Sequence, residues 1–271
     1  MNNQNHSVRI YTTLIFIMLY APLAVLIVFS FNSINSTSVF GDFSLKWYRE
    51  LFKDGETITA LKNTVILAVT SSAISTVVGT AASVGIYKMK KKWVRSSIMT
   101  TTNIPMMNPD IVTGISMMLL FVFVGTLLGV KGVLGFKTLL IAHITFELPY
   151  IVLSVIPKLR QMDKFLTEAA EDLGCTPAKA FFKVTLPYIK PGIVTGFIMA
   201  FTLSLDDFVI SYFCSGPEFQ TLPIRIYSMT KKRVTPDMYA LSTIIFIVIL
   251  ILLLLSNRST NRTAKVKEGK V

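Results

Sequence analysis

Residues 163–191 read DKFLTEAAEDLGCTPAKAFFKVTLPYIKP, a charged, helix-forming stretch set between long apolar runs. Its punctuation predicts two short helices. Asp163 is placed to cap the first, which runs through Leu173, because a carboxylate there accepts the free N–H groups of the opening turn. Gly174 ends it by supplying the left-handed backbone that a helix C-terminus often needs. Thr176 and Pro177 restart helical structure as N-cap and first helical residue, where the missing proline N–H costs nothing. Leu186 and Pro187 then stop the second helix. The stretch is expected to form a compact knob on a membrane surface, two helices about a glycine hinge.

The surrounding sequence sets the membrane. Apolar residues make up 52% of the 271, and the mean hydropathy is +0.60, which in a chain of this length indicates a membrane protein. Crossing a hydrocarbon core of ~30 Å takes ~20 apolar residues. Six runs qualify, at about 10–31, 60–87, 101–126, 135–156, 191–213 and 239–256. An even number puts both termini on one side. With the termini and the 163–190 loop inside, 17 of the 27 Lys and Arg residues face the cytoplasm and 9 the outside, Lys62 lying in a span. The positive-inside rule therefore makes that side cytoplasmic. The first run is too long for a signal-peptide core and lacks a small-residue cleavage pattern, so it is read as a retained anchor. The net charge of +12 is scattered through short loops with no basic groove or interleaved stacking aromatics, so nucleic acid is not an expected partner. Cys175 and Cys214 cannot build a disulfide framework and fall on opposite sides of this topology.

Several runs carry more than hydropathy. Ser71, Ser75, Gly79 and Ser83 recur every fourth residue, as do Gly192, Gly196, Ala200 and Ser204; small residues at that period let helices approach closely in lipid. The third run is interrupted by Asn103, Pro105, Asn108, Pro109 and Asp110, and irregular backbone at membrane depth needs protein or a watery cavity to cover it. Counted from Ser97, Asp110 would lie ~20 Å along the axis, near or beyond the midplane. Gly129, Gly132, Gly135, Lys137 and Thr138 look superficially like a phosphate loop. Phe136 separates glycine from lysine and no strand precedes them, so no nucleotide site of this kind is expected and ATP hydrolysis, if required, must come from a partner. His143 and Glu147 share one helix face and are read as a mutually satisfied pair, with no third ligand for a metal. Leu45, Lys46, Trp47, Tyr48, Leu51 and Phe52 suit a segment lying along the membrane surface with Trp47 at headgroup level.

An ionised Asp near a helix centre costs ~2.5–3.5 kcal/mol on insertion scales, so acids there need a partner, an aqueous cavity or a function. Asp110, Glu147, Asp206 and Asp207 lie within the runs, opposed only by His143 and Lys62. The excess negative charge suits a path that attracts a polyvalent cation without holding it. With two histidines, two separated cysteines and no nucleophile–base constellation, the chain is not expected to be an enzyme.

Glu168, Ala169, Ala170, Gly174, Val184, Leu186 and Pro187 resemble the EAA loop of permease subunits in binding-protein-dependent ABC importers, with Val184 where isoleucine is commoner. Further stretches, SFNS at 30–33, KWY at 46–48, NPDIV at 108–112, AHITFELPY at 142–150, LSLDDFVISYF at 203–213 and GPEFQTLPIRIYSM at 216–229, resemble the PotC-type permeases of spermidine/putrescine importers. The resemblance implies an all-α integral membrane protein of MetI-like fold with six transmembrane helices. It implies one permease domain over 1–271 in a bacterial cytoplasmic membrane, with a coupling loop at 163–190. Its implied partners are a second permease (PotB-type), an ATPase homodimer (PotA-type) and an extracytoplasmic polyamine-binding protein (PotD-type), besides membrane lipid. No cofactor or metal is expected on this chain; ATP and Mg belong to the partner ATPase. Carried over by motif, Trp47, Asp110, Ser204, Asp206 and Asp207 become the substrate pathway. Glu168, Ala169, Ala170, Gly174, Leu186 and Pro187 become the ATPase coupling site. Glu147 lies in a matching stretch without a transferable role and is kept as an additional pathway acid. Two rivals remain: a permease for another small solute, such as a ferric complex or an anion, and a stand-alone secondary transporter.

Overall fold

The computed structural model describes residues 2–36, 39–163, 165–232, 236–248 and 250–251. Among these, regular secondary structure is helical apart from one isolated antiparallel bridge between Asn32 and Phe43, as suits a chain in lipid, which offers no partner for backbone N–H and C=O groups. The helices are α1 (Asn2–Phe29), α2 (Lys46–Leu51), α3 (Gly55–Lys88), α4 (Lys92–Met107), α5 (Asp110–Leu127), α6 (Phe136–Gln161), α7 (Phe165–Asp172), α8 (Pro177–Ala180), α9 (Leu186–Asp206), α10 (Val209–Cys214) and α11 (Leu222–Lys232). A last one, α12 (Pro236–Val248), is short and apolar. Among the described residues, five helices are long and apolar enough to cross a membrane: α1, α3, α5, α6, and the continuous Pro177–Asp206 stretch. The sixth expected run, 239–256, is represented by α12; its remainder falls mostly outside the described residues. The described residues group into two compact units, Met1–Thr59 with Arg225–Leu252, and Ala60–Ile224.

In the first unit α1 exposes its apolar side chains from Val8 to Tyr20, with Leu23, Leu26, Ile27 and Phe29 half-buried beyond, as suits a lipid-facing helix. The loop after it is closed by one buried residue. The Asn32 carboxamide donates to the Ser36 and Val39 carbonyls at 3.0 and 2.8 Å and accepts from the Gly41 N–H at 2.8 Å. Its backbone carbonyl takes the Trp47 indole N–H at 2.6 Å. Trp47 is 7% exposed, packed inside its unit with the indole N–H on a buried carbonyl. At the start of α3, Asp54 and Glu56 both receive the Arg225 guanidinium, Asp54 at 3.1 Å. Burial would raise the Asp54 carboxyl, but hydrogen bonds from Thr57 and Arg225 outweigh it and hold the group below its usual value.

The second unit is organised around α6. Ile151, Val155 and Leu159 of α6 meet Ile189 and Ala200 of α9 in one core cluster, and Leu139 and Ala142 meet Leu67, Ile210 and Cys214 in another. The predicted stripe on α9 is the contact face: Gly192, Gly196, Ala200 and Ser204 are all buried. A Cβ on Gly192 would stand 2.7 Å from the Ser154 carbonyl oxygen, and one on Gly196 would stand 3.2 Å from the Ile151 Cα. On α3, a Cβ on Gly79 would stand 2.8 Å from the Ile151 side chain.

Three boundaries differ from expectation. The third run is not one span, for Asn108 and Pro109 are extended and separate α4 from α5. Asp110 therefore opens an apolar helix instead of lying deep within one. Leu186 and Pro187 do not end the second knob helix, because Phe181–Thr185 form a π turn that feeds directly into α9. The Leu186 N–H bonds the Phe181 carbonyl, five residues back, so proline's lack of a donor is absorbed in the first turn of α9. The fifth run, expected over 191–213, is broken after Asp206, where Asp207 is extended and α10 starts anew at Val209.

Candidate functional site

The break between α9 and α10 is where the polar groups of the second unit gather. Asp207 turns inward and accepts the Ile210 and Ser211 N–H groups at 3.3 and 2.7 Å, so its carboxylate caps α10. Its Oδ2 also lies 3.4 Å from Nε2 of His143 on α6, a ring with no exposure at all. The other ring nitrogen, Nδ1, is 2.7 Å from the Ser204 hydroxyl of α9, and Ser204 in turn is 3.2 Å from the Ser71 hydroxyl of α3. Ser71 and Ser75 donate to the two oxygens of Glu147, each at 2.7 Å. Four helices thus share one line of polar contacts running from Asp207 to Glu147.

This line revises the expected pairing of His143 with Glu147. The two stand one turn apart on α6, and Ser204 and Ser71 bridge them. The fully buried carboxyl group of Glu147 is satisfied because both of its oxygens accept hydroxyl protons. In this conformation Glu147 has no exposed surface. Sequence reading assigned Ser71 and Ser75 to packing alone; their coincidence with Glu147 on facing helices needs the register between α3 and α6, which no local pattern carries.

The remaining pathway candidates are placed differently. Asp206, one residue from Asp207, is exposed at the end of α9, and Asp110 is exposed at the first turn of α5. In the first unit Trp47 lines a cavity of ≈ 330 Å³ with Glu50, Leu51, Asp54 and Asp237. Trp47 therefore belongs with acidic neighbours of its own, while Ser204, Asp207 and Glu147 share the buried line.

The coupling candidates lie on the knob. Asp163 Oδ1 accepts the Phe165 N–H at 3.0 Å, α7 follows, and Gly174 takes the left-handed conformation at φ +86°. Thr176 caps α8 by accepting the Lys179 N–H, with Pro177 as its first residue. Glu168 and Ala169 are exposed and Ala170 is half-buried. Phe165, Leu173 and Phe182 are exposed by 72%, 87% and 64%, a rim of large apolar side chains around a polar loop.

Comparison with known proteins agrees with this architecture. Residues 75–264 match the family model described as binding-protein-dependent transport system inner membrane component. The chain is 36% identical over 264 residues to the spermidine/putrescine transport system permease protein PotC of Escherichia coli K12, covering 96% of each chain. It is 37% identical over 230 residues to the putrescine transport system permease protein PotI of the same strain, covering 85% of this chain and 82% of that one. Among solved structures it is similar to a bacterial alginate ABC transporter in complex with its pentasaccharide-bound periplasmic protein. That likeness has a TM-score of 0.74 at 17% identity and covers 97% of this chain and 96% of that one, a likeness of fold. A family match over most of the chain, joined to better than one-third identity along nearly its whole length, decides the matter: this chain belongs to the inner membrane permease components of binding-protein-dependent ABC transport systems.

Proposed function

We propose that the chain is the permease subunit of an ATP-driven polyamine importer, forming half of a substrate path and coupled to a separate ATPase through residues 163–190. The observation that carries the substrate is its likeness, along 96% of its length, to a permease named for spermidine and putrescine. The chemistry of the chain supports it. Polyamines are flexible polycations, and Asp110, Asp206 and Asp207 offer carboxylates while Trp47 offers an aromatic face. A second permease completes the path, and a binding protein delivers substrate from outside. ATP and Mg act on the ATPase pair, whose closure moves the knob and rocks the two permeases between outward and inward openings. The excess of Lys and Arg in the knob and at the chain ends favours placing them and both termini in the cytoplasm.

The test of substrate class is polyamine uptake by the whole transporter carrying Asp206→Asn. Asp206 is exposed and makes no cap, so the variant removes charge with little structural cost. The half-saturating spermidine concentration is expected to rise about tenfold, the effect of losing one charge pair in a partly dry path. Unchanged uptake would point instead to an anionic or neutral solute.

A further inference from the structure

Between Glu56 and Asp110 the sequence holds no acidic residue, yet residues 88–95 read KMKKKWVR, with Lys88, Lys90, Lys91, Lys92 and Arg95 in one short stretch. Lys88 is the last residue of α3, a helix long and apolar enough to cross a membrane, and Lys92 is the first of α4, with extended backbone at Lys91 between them. The lysines are exposed and Arg95 is half-buried. None of these cations is held in an ion pair among the described residues. The start of α4 adds to the same sign: its first turn carries no acid, and Lys91 stands where a capping oxygen is usual, with no side-chain cap.

A second helix brings cations to the same place. Ser71 and Ser75 of α3 meet Glu147 of α6, Gly79 lies against Ile151, and Ile86 packs with Val152 and Ile156, so the two helices run in the same direction and end at one level. The last turn of α6 carries Lys158 and Arg160 there, Arg160 exposed. Ile98 and Met99 hold α4 against the Ile86, Val152 and Ile156 cluster. Trp93 lies about 140° around α4 from Ile98, on the side away from that contact, and is 81% exposed. The knob acids Asp163, Glu168, Glu171 and Asp172 pair with none of these cations among the described residues.

We propose that Lys88, Lys90, Lys91 and Lys92, with Trp93, form a binding site for the headgroups of anionic phospholipids in the leaflet that meets the end of α3. Charge left unbalanced inside the chain is balanced there by phosphodiester oxygens, which accept hydrogen bonds from ammonium groups. Long lysine stems let the charges reach the headgroups from the helix ends, and an indole with one apolar and one polar edge suits the same depth. An acidic protein surface would answer the charge but not the position, because Lys88 stands directly past the apolar run of α3, where headgroups begin. In the orientation proposed above this is the inner leaflet. The site serves the permease whichever solute it carries.

The test uses the complete transporter in nanodiscs of zwitterionic lipid, with its second permease, ATPase and binding protein. The probes are brominated phosphatidylglycerol and brominated phosphatidylcholine, which quench nearby indoles. The Trp93 share of the fluorescence is the difference between each protein and the same protein carrying Trp93→Phe. Brominated phosphatidylglycerol is expected to quench that share half-maximally at a mole fraction about tenfold lower than brominated phosphatidylcholine, since each cation beside an anionic surface contributes about fivefold. Replacing the lysines together, Lys90→Gln, Lys91→Gln and Lys92→Gln, is expected to bring the two lipids to within about twofold. The matching arginine replacements, which keep the charge, are expected to keep the preference. Equal quenching by the two lipids in the wild type, or a preference that survives the glutamine replacements, would overturn the site. A Trp93 that neither lipid quenches, joined to weaker ATPase association in the glutamine variant, would also overturn it and give the patch to a protein partner.

Discussion

The Gly192→Val substitution is expected to leave little folded permease in the membrane. In lipid, helices associate through packing, so an interface that cannot close loses its main attraction. At Gly192 even the first added carbon would meet the Ser154 carbonyl oxygen at 2.7 Å, and that oxygen belongs to the α6 backbone and cannot swing aside. Relief requires moving α9 off α6, which also opens the contacts of Ile189 and Ala200 with Ile151, Val155 and Leu159. Overpacking of this kind costs about 3 kcal/mol, a large part of a marginal stability. The readout is the fraction of detergent-extracted protein that elutes as a single species, together with its unfolding temperature. Gly196→Ala is the graded companion: its Cβ meets the Ile151 Cα at 3.2 Å, a tighter fit than usual but short of a clash, and it should retain most of the folded protein. Equal yields for wild type and Gly192→Val would mean that α6 and α9 do not pack through this stripe.

The second large effect concerns work rather than folding. Glu168→Arg is expected to reduce polyamine uptake about a hundredfold, the scale of losing a central contact in a protein interface, while insertion and yield stay as in wild type. Glu168 is exposed in the first turn of α7 and is held in no ion pair among the described residues, so reversing its charge carries little structural cost. Its effect must come through whatever the knob touches. The exposed Phe165, Leu173 and Phe182 around it are the kind of apolar rim that a partner's groove would cover. Uptake and ATP hydrolysis should be measured together, because an uncoupled transporter loses the dependence of one on the other. Normal uptake by Glu168→Arg would remove the knob from the coupling mechanism.

Features that a single helix can specify are legible in the amino-acid sequence alone. Asp163, Gly174, Thr176 and Pro177 act locally, through caps and a left-handed turn, and the knob forms as they indicate. The period-four stripe on α9 is its buried face, and a stripe needs only the helical repeat to be recognised. Local pattern does not supply anything that depends on register between helices. Ser71 and Ser75 read as packing residues on α3, and only the placement of α3 against α6 brings them to Glu147. Asp206 and Asp207 are adjacent in sequence, yet the break between α9 and α10 leaves one exposed and draws the other inward to cap a helix and meet His143. The π turn before α9 is hidden for another reason: Pro187 is a stop signal for an isolated helix, and only the wider turn behind it lets the chain continue.

Reconstitution most directly separates an ATP-driven permease from a self-sufficient carrier. Liposomes containing this chain and its second permease should be loaded with ATP and Mg, with and without the ATPase subunits, and supplied outside with spermidine-loaded binding protein. The expected result is spermidine accumulation only when the ATPase pair is present, stopping when the ATP is exhausted. Spermidine accumulation at an equal rate without the ATPase subunits would contradict it.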